Sequence, residues 1–533
     1  MLAIGSGARS TASPPGCADG EFQFSVTLSN QGLGSKKPYD FTAYLWIPPS
    51  CRKVRGLLLA HQNVGEQILV EHPAIRGACA KNDIAIVWTN PALDMRYKQD
   101  RERSIAVQQD MLDKLAALSG YTELAGAPWI TFGHSSTTIF AHRLAEARPE
   151  RTIAVISAKG GFSYPEFDKY EGPVLYSGGH FPEWRQPEQD WRTNGSALNV
   201  LRAVREVQTV RFRPVSYVEE YGCGHFDFSE PYMRFLALYI ERTAAYRLKS
   251  DGTLRPISPD DGYVVDMQLP LPVLPLEITR YAEAAGELRH APFFIDRETA
   301  KGAVEFMSHS GRWQRENQIV AFARLDGSPV EITSHLVPVE CEYAGDGITI
   351  KRIETTFLDE LPGNFEQAGM KFGHAAGGQR TIERVSGVFD AGPDGTYRIR
   401  LNRGWPEVPE FVLVRHPGDD RFRPSVQPAR FVVPMHKGRP QRIDFPSLKD
   451  CRAGTGEIPL DAKSSAGLPV YYFVRSGPAK VVDGRLVLLT LPPRARLPVK
   501  VTVTAWQLGR GGADPVSAAA AVERAFYITG NDR

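Results

Sequence analysis

The sequence predicts an α/β fold with a doubly wound, mostly parallel sheet in its first half, followed by all-β sandwich domains. In the first half, short apolar runs alternate with segments of helical period up to about residue 248. Beyond about residue 331, strand-like runs are short and turns are frequent, which is typical of a β-sandwich. The length of 533 residues allows roughly three domains.

The apolar runs of the first half are predicted strands. Two of them, residues 22–28 and 41–47, form an expected edge hairpin. The strands that follow are expected to be buried on both faces and lie at 56–61, 84–88, 129–132, 153–157, 174–176 and 215–221. The helical segments between and after them are expected at about 67–80, 105–118, 139–148, 194–207 and 232–246.

A tight Gly-x-Ser turn follows the strand at 129–132, with the sequence Gly133-His134-Ser135-Ser136. A serine on a sharp corner between a parallel strand and a helix presents its hydroxyl to an open crevice. The N–H of Ser136 would lie at the start of that helix, where developing negative charge is favoured. Ser135 is therefore the candidate nucleophile, although Thr137 stands where this motif usually has a second glycine.

A serine nucleophile needs a base, and His225 is the best placed histidine. It follows the last predicted strand in Gly224-His225, at the carboxyl edge of the sheet where ligands of such folds bind. His61, His134 and His180 are competitors. His134 lies inside the turn with its side chain expected to point away, and His61 is better placed to shape the oxyanion site.

Over about residues 20–250 the chain resembles the α/β-hydrolase family, on the Gly133-His134-Ser135-Ser136 turn, the Gly224-His225 turn and the strand–helix order between them. The resemblance implies a Ser-His-acid triad and an oxyanion hole made by two backbone N–H groups, those of Ser136 and Gln62. It also implies an acid after the penultimate strand, where no aspartate follows closely. Glu183 is the first choice there, with Asp190 and Glu188 as alternatives; Asp227 is less favoured because it would have to fold back under the imidazole.

Aromatic residues crowd the loops at this edge. Phe162, Phe181 and Trp184 are candidate substrate-binding residues, with Tyr164 and Trp191 nearby. They either cover the sheet edge or form a stacking platform for a sugar ring or an aromatic acyl group. The sequence leaves both interpretations open.

The predicted domains are a catalytic domain at 1–250, an extension packed on it at 251–330, a β-sandwich at 331–437 and a second sandwich at 438–533. The last of these resembles bacterial immunoglobulin-like repeats, in its Ser465-Ala466-Gly467-Leu468-Pro469-Val470 turn and its Gly477-Pro478-Ala479 turn. This resemblance implies an exported, modular protein. We expect an extracellular or periplasmic location, with a leader that is not present in this sequence.

Composition excludes several classes of function. The net charge of +2 gives no case for nucleic acid, and no apolar run is long enough for a transmembrane helix. Six cysteines show no zinc-type spacing, so we expect no metal and no cofactor; Cys17 and Cys51 could pair, and free thiols are an equal alternative.

The favoured function is a serine-dependent esterase acting on a small-molecule or polysaccharide ester. A carbohydrate esterase that removes acetyl, feruloyl or methyl esters is the preferred subclass, because exported modular hydrolases often act on polysaccharides. The alternatives are a peptidase on the same fold, and an inactive surface protein whose β domains bind glycans.

Overall fold

The computed structural model describes residues 21–34, 37–94, 97, 100–160, 169–179, 195–220, 222–267, 276–309, 315–332, 337–361, 368–391 and 396–530. Eight strands of the first half form one sheet. They are β1 (Phe24–Ser29), β2 (Asp40–Trp46), β3 (Gly56–His61), β4 (Ile84–Asn90), β5 (Trp129–His134), β6 (Thr152–Ala158), β7 (Val174–Gly179) and β8 (Val215–Glu220).

The strand order is β1-β2-β4-β3-β5-β6-β7-β8. The pairs β1–β2 and β2–β4 are antiparallel, and every pair from β4–β3 to β7–β8 is parallel. This order is that of the α/β-hydrolase fold, so the predicted fold class is confirmed. The strand that precedes Ser135, β5, lies between β3 and β6 in the interior of the sheet. Its side chains are all buried, as expected of a strand covered on both faces.

The described residues of this half contain six α-helices: α1 (Glu66–Glu71), α2 (Pro73–Lys81), α3 (Arg101–Ser119), α4 (Thr138–Ala147), α5 (Gly195–Val210) and α6 (Glu230–Arg247). The single helix expected at 67–80 is two helices, which corrects that prediction. The break falls at His72, which is extended (φ −70°, ψ 130°) because the residue before a proline is disfavoured in the helical region. Pro73 then begins α2, where its missing N–H costs nothing.

The next segment contains three short strands and one helix: β9 (Tyr263–Val265), β10 (Ile278–Arg280), β11 (Phe293–Phe294) and α7 (Arg297–His309). Ala300 and Ala303 of α7 belong to the same apolar core as Phe235 and Leu236 of α6. Helix α7 of this segment therefore packs against α6.

The remaining strands, from 319 to 529, are called the β region here and form small sheets with mainly antiparallel pairing. Three sheets come first, made of β12 (Ile319–Ala323), β13 (Glu342–Tyr343), β14 (Thr349–Arg352), β15 (Glu354–Leu358), β16 (Thr381–Ser386), β17 (Phe389–Ala391), β18 (Tyr397–Ile399), β19 (Phe411–His416) and β20 (Ser425–Arg430). Three more are made of β21 (Ile443–Asp444), β22 (Cys451–Arg452), β23 (Ile458–Pro459), β24 (Lys463–Ser464), β25 (Tyr471–Ser476), β26 (Ala479–Val482), β27 (Arg485–Leu488), β28 (Val499–Trp506) and β29 (Val522–Thr529). The immunoglobulin-like assignment and the domain boundaries stay predictions.

No helix among the described residues is long and apolar enough to span a membrane. The five cysteines within the described ranges, at positions 51, 79, 223, 341 and 451, are free thiols, and Cys17 lies outside those ranges.

Candidate active site

Ser135 lies at the corner between β5 and a short 3-10 helix, Ser135–Thr137, that runs directly into α4. Its backbone is in the left-handed region, at φ +56°, a conformation that costs energy for any residue with a side chain. A Cβ at Gly133 would overlap the carbonyl of Thr137, so the turn closes only with glycine at that position. The side chain of Ser135 is half-buried. These features are the strained corner that the Gly-x-Ser motif predicts.

Thr137, at the position where a glycine is usual, takes part in the turn through its hydroxyl. This oxygen lies 2.5 Å from Oε1 of Glu66 and 2.8 Å from the carbonyl of His134. It also accepts a hydrogen bond of 2.9 Å from the N–H of His134. The threonine side chain is buried. The departure from the usual motif is therefore accommodated by a specific set of hydrogen bonds.

Glu66 connects the turn at 133–137, which carries the candidate nucleophile and is called the nucleophile turn here, to the turn that follows β3. Besides Thr137, its carboxylate accepts hydrogen bonds from the N–H groups of His134 (3.0 Å), Asn63 (2.7 Å) and Val64 (2.9 Å). Glu66 is fully buried, and burial raises the pKa of its carboxyl group. Sequence reasoning missed this residue, because its partners His134 and Thr137 lie 68 and 71 residues further along the chain.

His225 lies beside the nucleophile turn. The Nε2 of His134 is 2.9 Å from the carbonyl oxygen of His225, and the two rings are 4.9 Å apart. A carbonyl oxygen can only accept a hydrogen bond, so Nε2 of His134 carries the ring proton and is the donor. Burial lowers the pKa of His134 to about 3, which keeps this imidazole neutral. The structure thus brings His225 next to the turn that carries Ser135, and the histidine inside that turn serves to hold it.

Lys159, one residue past β6, holds the loop on both sides of His225. Its Nζ donates to the carbonyl of Gly224 (2.8 Å) and to the carbonyl of Asp227, and it forms a buried ion pair with Glu220 at 3.1 Å. Burial would lower the pKa of Lys159, but the carboxylates of Glu220 and Asp227 outweigh it and leave that pKa raised. Lys159 is therefore positively charged, and it contacts the loop at 224–227 that carries His225, which is called the histidine loop here.

The same loop contacts the β region. The Asp227 carboxylate accepts a hydrogen bond of 2.7 Å from Arg415 of β19, and Phe226 stacks on Phe411 of the same strand. Burial alone would raise the pKa of Asp227, but the cations of Arg415 and Lys159 lower it. The side chain of Asp227 is thus an ionised partner of Arg415, and the preference against it as the triad acid stays a prediction.

The expected acid position follows β7, which ends at Gly179. The candidate acids Glu183, Asp190 and Glu188 all lie outside the described residues, as do His180 and the aromatic residues Phe162, Phe181 and Trp184. Their roles stay predictions.

The expected oxyanion donors have different outcomes. Ser136 is the second residue of the 3-10 helix, where an N–H has no acceptor within the helix. Gln62 is corrected: its N–H donates to the carbonyl of Thr89 at 2.9 Å, which extends the β3–β4 pairing by one residue. Its side chain is also engaged, since Oε1 accepts from the indole of Trp88 (2.9 Å) and from the N–H of Gln67 (3.1 Å). Gln62 therefore fixes the turn, and its N–H does not face Ser135.

Asn63, the next residue, reaches the nucleophile turn with its side chain. Its Nδ2 donates to the carbonyl of His134 at 3.1 Å, directly before Ser135. The side chain is half-buried, and an amide nitrogen has a second N–H to offer. Within this turn it is therefore Asn63 whose side chain contacts the residue before Ser135.

His61 is a structural residue. Its Nε2 is 3.0 Å from Oε1 of Gln108, and its ring stacks on Phe140 at 3.8 Å. Burial lowers the pKa of His61 to about 3. Within the described ranges no group of three or more His, Cys, Asp or Glu side chains could hold a metal ion.

Comparisons with known proteins give matches of structure alone. No protein-family model and no curated protein matches the chain. Similar solved structures include the Staphylococcus aureus fluorophosphonate-binding serine hydrolase FphF (12% identity, TM-score 0.27, 42% of this chain and 98% of that one). Others are the siderophore hydrolase EstA of Aspergillus nidulans (11%, TM-score 0.30, 45% and 99%) and the esterase PE8 (16%, TM-score 0.27, 37% and 97%). A likeness at this level carries no argument about activity.

Proposed function

We propose that this protein is a serine hydrolase that cleaves carboxylic esters. The observation that carries the proposal is the strained Ser135, at φ +56° on the strand–helix corner, with His225 held beside it by His134. Strain of this kind persists only where the surroundings impose it, and it concentrates at functional sites. Here Glu66 and Thr137 are the groups that impose it.

In the proposed reaction Ser135 attacks the acyl carbon while His225 accepts its proton. The histidine then returns that proton to the departing alcohol, which leaves an acyl-enzyme. Water, deprotonated by the same histidine, attacks the acyl carbon and releases the acid product with Ser135 restored. Lys159 and His134 donate hydrogen bonds to backbone carbonyls of the histidine loop, and these bonds would hold the imidazole of His225 in position through both steps.

For the oxyanion we propose the N–H of Ser136 and the side-chain amide of Asn63 as donors. Loss of one oxyanion donor in other serine hydrolases costs about 10²–10³ in kcat. We therefore expect Asn63→Ala to lower kcat by about 10²-fold with little change in KM. A kcat within a few-fold of wild type would exclude this role for Asn63.

For the triad acid we propose Glu183, with Asp190 and Glu188 as alternatives. The acid orients the imidazole and stabilises its protonated form, and its loss costs about 10⁴ in kcat in a known triad. The experiment measures kcat for Glu183→Gln, Asp190→Asn and Glu188→Gln. The acid is the residue whose variant folds but loses about 10⁴ in kcat.

For the substrate we propose a carbohydrate ester bearing an acetyl, feruloyl or methyl group, with Phe162, Phe181 and Trp184 as candidate binding residues. The support is the combination of a hydrolase-type sheet with a β region of many small sheets, a combination found in exported enzymes that act on polysaccharides. On the same reasoning we propose an extracellular or periplasmic location. A panel of acetylated, feruloylated and methylated glycans tests the substrate class.

The decisive experiment compares wild type with Ser135→Ala on a short-chain nitrophenyl ester and with a fluorophosphonate probe. We expect covalent labelling of wild type at Ser135, and loss of about 10⁶-fold in kcat in the variant. Ser29→Ala, at an exposed serine that ends the edge strand β1, is the matched control. Activity that survives in Ser135→Ala would refute the mechanism, whereas an inactive and unlabelled wild type would favour the glycan-binding alternative.

A further inference from the structure

An arginine of the β region reaches the loop that carries His225. Arg415 donates from Nη2 to Oδ1 of Asp227 at 2.7 Å, across 188 residues of sequence. The Asp227 side chain is only 2% exposed, so this ion pair is shielded from water on the aspartate side. The same guanidinium is held by Glu383 of β16, through contacts of 3.0 to 3.3 Å, and Glu383 is 43% exposed.

Apolar contacts run alongside this ion pair. Phe226 stacks on Phe411 with the rings 5.1 Å apart and 15° from parallel. Val64, in the turn that carries Asn63, belongs to the same buried cluster as Phe226 and Leu413. Strand β19 therefore supports both the histidine loop and the turn after β3.

We propose that Arg415 is a positioning residue for His225, so that the β region completes the hydrolase site. The inference rests on the proposed function. Arg415 acts on the imidazole through Asp227, two residues further along the loop, whose carbonyl is also held by Lys159. With Arg415 present, Asp227 stays ionised and in place.

Without Arg415, the buried Asp227 carboxylate would keep only Lys159 of the two cations that compensate its desolvation. The histidine loop would then move toward water, or Asp227 would take up a proton. Either change displaces His225 from Ser135. Misplacement of a catalytic group by about 1 Å can cost about 10²-fold in rate.

The test measures kcat and KM on a nitrophenyl ester for the full chain, with active sites counted by fluorophosphonate labelling. We expect Arg415→Met to lower kcat per labelled site about 10- to 100-fold, with KM changed less than about threefold. The double variant Arg415→Met/Asp227→Asn should recover part of the loss, because the uncompensated charge is gone. Arg421→Met, at an exposed arginine paired with Glu316 in the same region, should retain wild-type kcat.

A merely structural role would lower the labelled fraction and the melting temperature while kcat per labelled site stayed within about twofold of wild type. That result would overturn the inference. If Arg415→Met does not fold, Arg415→Lys decides in its place. Lysine keeps the charge but loses the planar fork that bonds Asp227 and Glu383 together, so we expect kcat to fall about 3- to 10-fold; an unchanged kcat would overturn the inference. An inactive, unlabelled wild type would refute the proposed function itself.

Discussion

The two sides of the candidate site are held in different ways. On the nucleophile side one carboxylate, Glu66, collects three backbone N–H groups and one hydroxyl from the two turns that flank Ser135. All of these donors are neutral, and all come from the ends of β3 and β5 or the turns that follow them. On the histidine side the loop is held by two cations, Lys159 and Arg415, and the second belongs to the β region.

This difference has an energetic consequence. A buried carboxylate that accepts from neutral donors can be replaced by an amide that keeps most of the hydrogen bonds. A buried cation that faces carboxylates cannot be neutralised alone, because its partner is left as an uncompensated charge. We therefore expect the histidine side to be sensitive to charge and the nucleophile side to be sensitive to the number of acceptors.

The largest expected effect is that of Lys159→Met. The variant leaves the Glu220 carboxylate, which is 1% exposed, without its cation and removes the donor to the Gly224 and Asp227 carbonyls. Breaking a buried pair in this way costs about 3–5 kcal/mol of unfolding free energy. Denaturant unfolding measures the loss, and ester hydrolysis should fall with it.

The matched control is Lys159→Met/Glu220→Gln, which removes both charges. Its unfolding free energy should lie above that of Lys159→Met, because the uncompensated carboxylate is no longer present. A double variant no more stable than the single one would show that the uncompensated charge of Glu220 is not what destabilises Lys159→Met.

The second largest expected effect concerns Glu66. Two variants separate the loss of its hydrogen-bond acceptors from the loss of its charge. Glu66→Met removes the acceptors of four donors, and we expect a loss of about 2–4 kcal/mol in unfolding free energy together with a large fall in kcat. Glu66→Gln keeps one carbonyl oxygen for Asn63 and Val64. The N–H of His134 loses its acceptor on Glu66 and keeps the hydroxyl of Thr137, which can also accept from the new amide and donate to the His134 carbonyl. This variant should stay within about 1.5 kcal/mol of wild type. Equal losses in the two variants would mean that the charge of Glu66 matters after all.

The sequence predicts the fold, and it places the candidates Ser135 and His225 at the same edge of the sheet, because these signals are local. Apolar runs with helical segments between them define the sheet, and Ser135 and His225 each follow a predicted strand directly. The break between α1 and α2 was also readable, since Pro73 stands at it. The element boundaries elsewhere differ from expectation by a few residues, as helix ends commonly do.

The residues that hold the site could not be found in this way. Lys159, Glu66 and Arg415 are charged side chains whose role depends on partners 61, 71 and 188 residues away. Gln62 was wrong for a related reason: whether its N–H is available depends on the β3–β4 register, which pairs His61 with Thr89 and so directs the N–H of Gln62 to the Thr89 carbonyl. In both cases long-range pairing, which one sequence does not reveal, decides the function of a residue.

The smallest expected effect tests whether acid weakens the nucleophile side through a buried imidazole. His61 ends β3, next to the turn that carries Gln62 and Asn63, and burial lowers its pKa to about 3. The unfolded chain takes up a proton at this histidine below about pH 6.5, while the folded protein does not until about pH 3. The unfolding free energy should therefore fall as the pH falls through this window, and one such histidine accounts for about 1.4 kcal/mol of the loss at pH 5.5.

His61→Phe isolates this contribution. Phenylalanine can keep the stack on Phe140, and Oε1 of Gln108 retains its hydrogen bond from Tyr97 at 2.9 Å. The variant will have its own offset in stability at pH 8, so the informative quantity is the change in unfolding free energy between pH 8 and pH 5.5. We expect this change to be smaller than in wild type by about 1.4 kcal/mol, with the remainder due to other groups such as His134. An identical pH dependence in the two proteins would mean that His61 is protonated in the folded state within this range, and that the nucleophile side contains a charge after all.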